Sequence, residues 1–150
     1  MPSSSVPSAI PWRDSFAIGH EEMDRQHRQL ADTINDIHGA AAAQDEAQVG
    51  HLIKALKLAA QEHFREEDAI LWQMVTGTFK RRSSRALPRP RSAMTHTAFQ
   101  KHTTEHTELL TALDNIAREP LESMIDRLKF WFVDHIVRQD SHLKAVFQAH

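Results

Sequence analysis

Apolar positions recur at spacings of three and four through four long segments of this chain, the signature of helices that bury one face. Met23, Leu30, Ile34 and Ile37 mark the first, predicting α1 over about 21–42. Val49, Leu52, Leu56, Ala59, Ile70 and Met74 mark the second, predicting α2 over about 46–74. Phe99, Leu109, Leu113 and Ile116 mark the third, with Ser92 as N-cap and α3 running from Ser92 or Ala93 to about Ala117. Leu128 and Phe132 mark the fourth, with Pro120 in the first turn and α4 reaching about Phe147. Short α1–α2 and α3–α4 connections predict an all-α, up-down-up-down four-helix bundle over 20–150. Residues 1–19 form an N-terminal arm whose Trp12, Phe16 and Ile18 are placed to lie on it.

Each apolar face is interrupted in the same way. His27 falls in the first stripe, His63 and Glu67 in the second, His102 and His106 in the third, His135 in the fourth. A core-facing stripe should be apolar. One buried histidine is ordinary, but five imidazoles in register on four helices are not. Left without partners they would cost roughly 1–3 kcal/mol each. A buried metal centre satisfies all of them together. The pairs His63/Glu67 and His102/His106 are four apart, an offset of roughly 40° on a helix, so each pair grips one region. Asp140 is five residues beyond His135, roughly 140° away on an ideal helix. It belongs to the neighbouring stripe of Ile136, Leu143 and Phe147, and reaches the metal only from the edge or by local unwinding. Seven donors exceed one tetrahedral site and point to two metals. Imidazole with carboxylate suits iron, and also zinc, manganese or copper.

Composition narrows the rest. The 150 residues are enough for one sizeable core. With no Cys, disulfides, iron–sulfur clusters and thiolate sites are excluded. No apolar run is long enough to cross a membrane, and the N-terminus lacks a secretory pattern, so a cytoplasmic protein is expected. The net charge of −2 gives no reason to expect nucleic acid as a partner. One stretch departs from this balance. Residues 75–92 are rich in Pro and Ser, and six Lys or Arg fall between 80 and 91 with no acid among them. They read as an extended basic loop between α2 and α3, a solvated insertion first and a dock for an acidic or phosphate-bearing partner second. The other histidines, His20, His38, His51, His96, His142 and His150, form no pairs four apart and read as surface or structural.

Five motifs carry a resemblance to the hemerythrin family in its bacterial single-domain form. They are Trp12-Arg13-Asp14-Ser15-Phe16 with Ile18-Gly19, Met23-Asp24-Arg25-Gln26-His27, His63-x-x-x-Glu67, His102-x-x-x-His106 and Trp131-Phe132-Val133-Asp134-His135 running on to Asp140. The resemblance covers about 12–147 and includes the five-residue step that spacing alone leaves unexplained. It implies a non-haem di-iron site. His102, His106 and His135 would ligate one iron. His27 and His63 would ligate the other, which keeps an open position for O2. Glu67 and Asp140 would bridge, with an oxo or hydroxo group. Trp131, Phe132 and Val137 match the lining of the family's O2 pocket. Two features differ from the family's usual pattern: the longer α2–α3 connection, and Phe132 where a smaller aliphatic side chain is usual.

The expected function is reversible O2 binding, as carrier, store or sensor, with small anions such as azide as further ligands. The alternatives are a di-iron oxidoreductase, of peroxidase or nitric oxide reductase type, and an interaction module gated by iron or oxygen. Ferritin-like oxidases use Glu-x-x-His motifs, and this chain contains none. A site richer in neutral imidazole carries more net positive charge, which favours ferrous iron over high-valent chemistry. An oxygen-binding protein is therefore expected rather than an enzyme.

Overall fold

The computed structural model describes residues 9–77, 95–140 and 143; at 136, 137 and 139 it describes the backbone alone. Four helices follow the arm: α1 Glu21–Ala42, α2 Glu46–Thr76, α3 His96–Ile116 and α4 Leu121–Val133. α1 packs on α2 and α4, and α3 packs on the same two, which closes a four-helix bundle. The described residues contain no strand.

The helix starts are set by side chains that accept orphan backbone N–H groups. His20 Nδ1 accepts from Met23 N–H at 3.2 Å, Asp45 accepts from Gln48 N–H at 3.1 Å, and Thr95 Oγ1 accepts from Ala98 N–H at 3.0 Å. α3 therefore begins at His96, not near Ser92 or Ala93, because Thr95 is the residue that caps it. Ser92 lies outside the described residues, as does most of the basic stretch at 75–92. α2 runs two residues past Met74 and stops at Gly77, whose φ of 74° is a left-handed helix end that favours glycine.

The arm is fastened at three places. Asn35 brackets Ile10, accepting its N–H at 2.7 Å and donating to its carbonyl at 2.9 Å. Asp24 accepts the N–H groups of Ile18 and Gly19 at 2.7 and 3.3 Å. Ile10, Phe16 and Ile18 are buried, while Trp12 is half-buried with its ring edge-on to Phe16 and the Arg28 guanidinium 4.5 Å above it.

α4 corrects the expectation of one continuous helix to Phe147. Its α-helical part ends at Val133 and passes into a π-helical turn, Asp134–Gln139. The backbone N–H of Asp140 donates to the carbonyl of His135, five residues back, at 3.1 Å. Such i→i+5 turns are rare and frequently fall at functional sites. Phe147 lies outside the described residues.

The interior has three levels. A large apolar cluster joins Leu30, Ile34, Ile37, Leu56, Phe64, Leu113, Leu128 and Phe132. A smaller one joins Ile18, Met23, Leu71, Met74 and Leu143. On each helix the buried polar residues fall between the two, as His27 does between Met23 and Leu30. Fully burying each of these aliphatic side chains contributes roughly 1.5–3 kcal/mol. The flanking apolar layers hold the polar layer away from water.

Candidate metal centre

All seven expected donors meet in that layer. His27, His63, Glu67, His135 and Asp140 have no accessible surface, and His102 and His106 are at most 6% exposed. α1 supplies His27, α2 supplies His63 and Glu67, α3 supplies His102 and His106, and the π turn carries His135 to Asp140. The donors fall into two groups that share Glu67. One is His27, His63, Glu67 and Asp140; the other is Glu67, His102 and His106. In the first, Asp140 Oδ2 lies 3.0 Å from His27 Nε2 and 3.3 Å from His63 Nε2. In the second, Glu67 Oε1 lies 2.6 Å from His102 Nε2 and 2.7 Å from His106 Nε2. His135 Nε2 stands beside the first group, 3.3 Å from Asp140 Oδ2 and 3.5 Å from His63 Nε2.

The outer nitrogens show what the inner ones are for. His27 Nδ1 faces the Phe16 carbonyl at 3.1 Å, so that nitrogen carries the proton and donates. In neutral imidazole the lone pair is then on Nε2, aimed at the oxygen of Asp140. His63 Nδ1 faces Gln26 Oε1 at 3.0 Å. The Gln26 amide is oriented by its nitrogen, which donates to Glu66 at 2.6 Å and to Glu22 at 3.2 Å. Its oxygen is thereby turned to His63. His106 Nδ1 faces Asp68 at 2.7 Å. In each case an inner nitrogen meets a carboxylate oxygen in a buried space, and a cation, either a proton or a metal ion, satisfies both.

The carboxylates point the same way. Glu67 Oε2 and Asp140 Oδ1 are buried without a hydrogen-bond partner, and orphaned buried oxygens are costly. A pair of divalent cations would satisfy both oxygens and all the inward imidazoles. The donor set therefore fits the metal centre that it suggests. The electrostatics differ from one donor to the next. Burial pushes His63 down, toward the neutral form that ligates metal. Burial works against charge on Asp140 as well, but the facing His135, His27 and His63 hold its carboxyl well below the usual range. Burial also opposes charge on His106, yet its bonds to Asp68 and Glu67 raise it to about 9.

Periodicity did not single out Gln26, Phe64 and Asp68. Gln26 is buried beside His27 in sequence, and Asp68 is next to Glu67. The Phe64 ring stacks on His106, with centroids 4.3 Å apart and planes 11° apart, and it also meets His63 and His135. A signal for Phe64 existed: Ala60, Phe64 and Leu71 form a second buried row at spacings of four and seven. Phe132 is fully buried with its ring edge-on to Phe16, and Trp131 donates through Nε1 to the Leu109 carbonyl at 3.0 Å. The Val137 side chain is outside what is described. Of the remaining histidines, His20 caps α1 and His96 lies against Trp72.

Fold and pocket together define a class: a four-helix bundle with imidazole and carboxylate donors gathered in one buried layer and suited to bind metal. Comparison with known proteins names the family. The hemerythrin HHE cation-binding domain matches residues 18–147, and the chain belongs to the hemerythrin family, which is known for O2-binding di-iron proteins. It is similar to a bacteriohemerythrin of Stenotrophomonas maltophilia, 26% identical over 94% of this chain and 83% of the relative. It is also similar to myohemerythrins of Sipunculus nudus, at 24% over 93% of this chain and 95% of the relative, and of Theromyzon tessulatum, at 21% over the same shares.

Proposed function

We propose that this chain binds O2 reversibly at a di-iron centre. The observation that carries the reading is the pair of donor groups joined at Glu67, each closed by inward-facing imidazole nitrogens. His102, His106 and His135 are assigned to one iron and His27 and His63 to the other, with Glu67 and Asp140 between them. His135 Nε2 stands nearest Asp140 and His63, so its place with His102 and His106 rests on the family pattern. When bound, the iron pair supplies two ferrous-to-ferric electrons for O2.

The chain's own residues do the rest. Phe16, Gln26 and Asp68 orient three of the imidazoles through their outer nitrogens. Phe64 covers the ring faces, and the two apolar clusters exclude water. Trp131, Phe132 and Val137 are assigned to the O2 pocket, where azide would also bind. No described helix is long and apolar enough to cross a membrane, and we assign the protein to the cytoplasm. The basic stretch at 80–91 is assigned first as a solvated insertion, and only second as a contact for an acidic or phosphate-bearing partner.

Anaerobic reduction followed by titration with air tests the reading. An optical spectrum that forms with O2 and reverses on its removal supports it. One-way conversion with turnover of a reductant replaces it with an oxidoreductase.

A further inference from the structure

We infer that Asp68 is a positioning residue that sets the reduction potential of the centre through His106. The inference rests on the di-iron reading and deepens it. Three of the imidazoles have their outer nitrogens held by identifiable groups. For His27 the group is a backbone carbonyl, and for His63 it is the neutral Gln26 amide. For His106 it is a carboxylate, with Asp68 Oδ1 2.7 Å from Nδ1. The charges beyond Gln26, on Glu22 and Glu66, are one amide removed from His63.

A carboxylate draws the Nδ1 proton more strongly than an amide or carbonyl does. It enriches the ring in electron density and makes the opposite nitrogen a stronger donor. The geometry directs that donation inward, because the same ring places Nε2 at the Glu67 end of the pocket. Phe64, stacked flat on the His106 ring, keeps the ring plane fixed. Stronger donation stabilises the more highly charged iron. Asp68 therefore favours the ferric state at the iron held with His102 and His106, and lowers the potential at which that iron gives up its electron. Asp68 itself is a third exposed, so it carries its charge at the edge of the pocket and can be changed without opening the core.

The test uses the full chain loaded with iron. Asp68→Asn keeps the size of the side chain and an acceptor oxygen but removes the charge. Glu62→Gln removes an exposed charge from the same helix and serves as the control. The readouts are iron content, affinity for Zn2+ by chelator competition, and midpoint potential by spectroelectrochemical titration. Asp68→Asn is expected to keep two irons and to weaken Zn2+ binding 10–100-fold, the usual effect of losing such a partner. A tenfold loss of ferric preference raises the potential by about 59 mV for a one-electron couple. Glu62→Gln is expected to leave all three readouts at the wild-type values. Wild-type potential in an Asp68→Asn protein that holds two irons would overturn the inference, as would an equal shift in Glu62→Gln. Should Asp68→Asn lose iron, Asp68→Glu decides the matter. Restored iron and potential support a role for the charge, and failure to restore them overturns it. A wild-type chain that does not take up two irons would instead sink the di-iron reading itself.

Discussion

Gln26 shows how much one side chain outside the donor set can fix. Its amide nitrogen is committed to two carboxylates, so its oxygen must face His63. Gln26→Leu would leave His63 Nδ1 without that acceptor and permit the wrong tautomer. Metal affinity should fall 10–100-fold, read by chelator competition, while far-ultraviolet circular dichroism keeps its helical signal. Glu22 is the outer end of this chain of contacts, and Arg25 beside it lowers its carboxyl to about 2. A lowered acid contributes stability that is present above its ordinary value near 4.5 and lost as pH falls through about 2. Glu22→Gln should thus differ in melting temperature from wild type at pH 5 and converge with it near pH 2. A constant difference across that range would refute the assignment. Phe132 is a second residue-scale test. Phe132→Leu should cost about 1–2 kcal/mol by leaving a partial cavity. If the ring also narrows the O2 pocket, azide should bind the oxidised protein faster. Lost stability with unchanged azide kinetics would make Phe132 a packing residue only.

At the scale of elements, the arm and the π turn do what straight helices cannot. The arm delivers the Phe16 carbonyl to His27, and the Asn35 bracket on Ile10 holds the arm's far end. Asn35→Ala removes two hydrogen bonds and should lower stability by about 1–3 kcal/mol. Deleting residues 1–17 should go further and weaken metal binding at His27 while the four helices persist. Iron retention at full affinity in that truncation would show that the carbonyl is dispensable. The π turn explains the five-residue step from His135 to Asp140. On an α-helix the two diverge, whereas the His135–Asp140 i→i+5 bond returns them to one face. The stretch 78–90 supplies none of the seven donors. Replacing it with a short Gly/Ser linker should leave iron content and helicity unchanged, and loss of iron would mean that it shapes the site.

Over the whole molecule, the bundle is a polar layer clamped between two apolar ones. Metal and fold are therefore coupled: whatever binds the folded pocket and not the unfolded chain stabilises it. Wild type should hold two irons, and chelation should lower its melting temperature. Metal analysis giving at most one, unchanged in His27→Ala and Glu67→Ala, would remove the binuclear reading. Much of this was legible in the chain itself. Periodicity placed α1 at Glu21–Ala42, with both ends as observed, because local spacing and the acidic first turn decide a helix start. It also put six of the seven expected donors on core-facing stripes, and all six are buried. Asp140 fell on the neighbouring stripe and spacing alone did not select it, because its return to the His135 face depends on the π turn. The true start of α3 was missed because Ser92 and Thr95 are equally good caps in isolation. Gln26 and Asp68 were beyond reach for a different reason, and the buried row that held Phe64 did not say what its ring would stack on. The partners of Gln26 and Asp68 lie about 40 residues away on another helix, and Phe64 stacks on a ring from α3. The sequence determined which faces turn inward and which chemistry they carry. Only the packing of one helix on the next decided which nitrogens of His27, His63 and His106 face the shared carboxylates and what holds the opposite nitrogen of each ring.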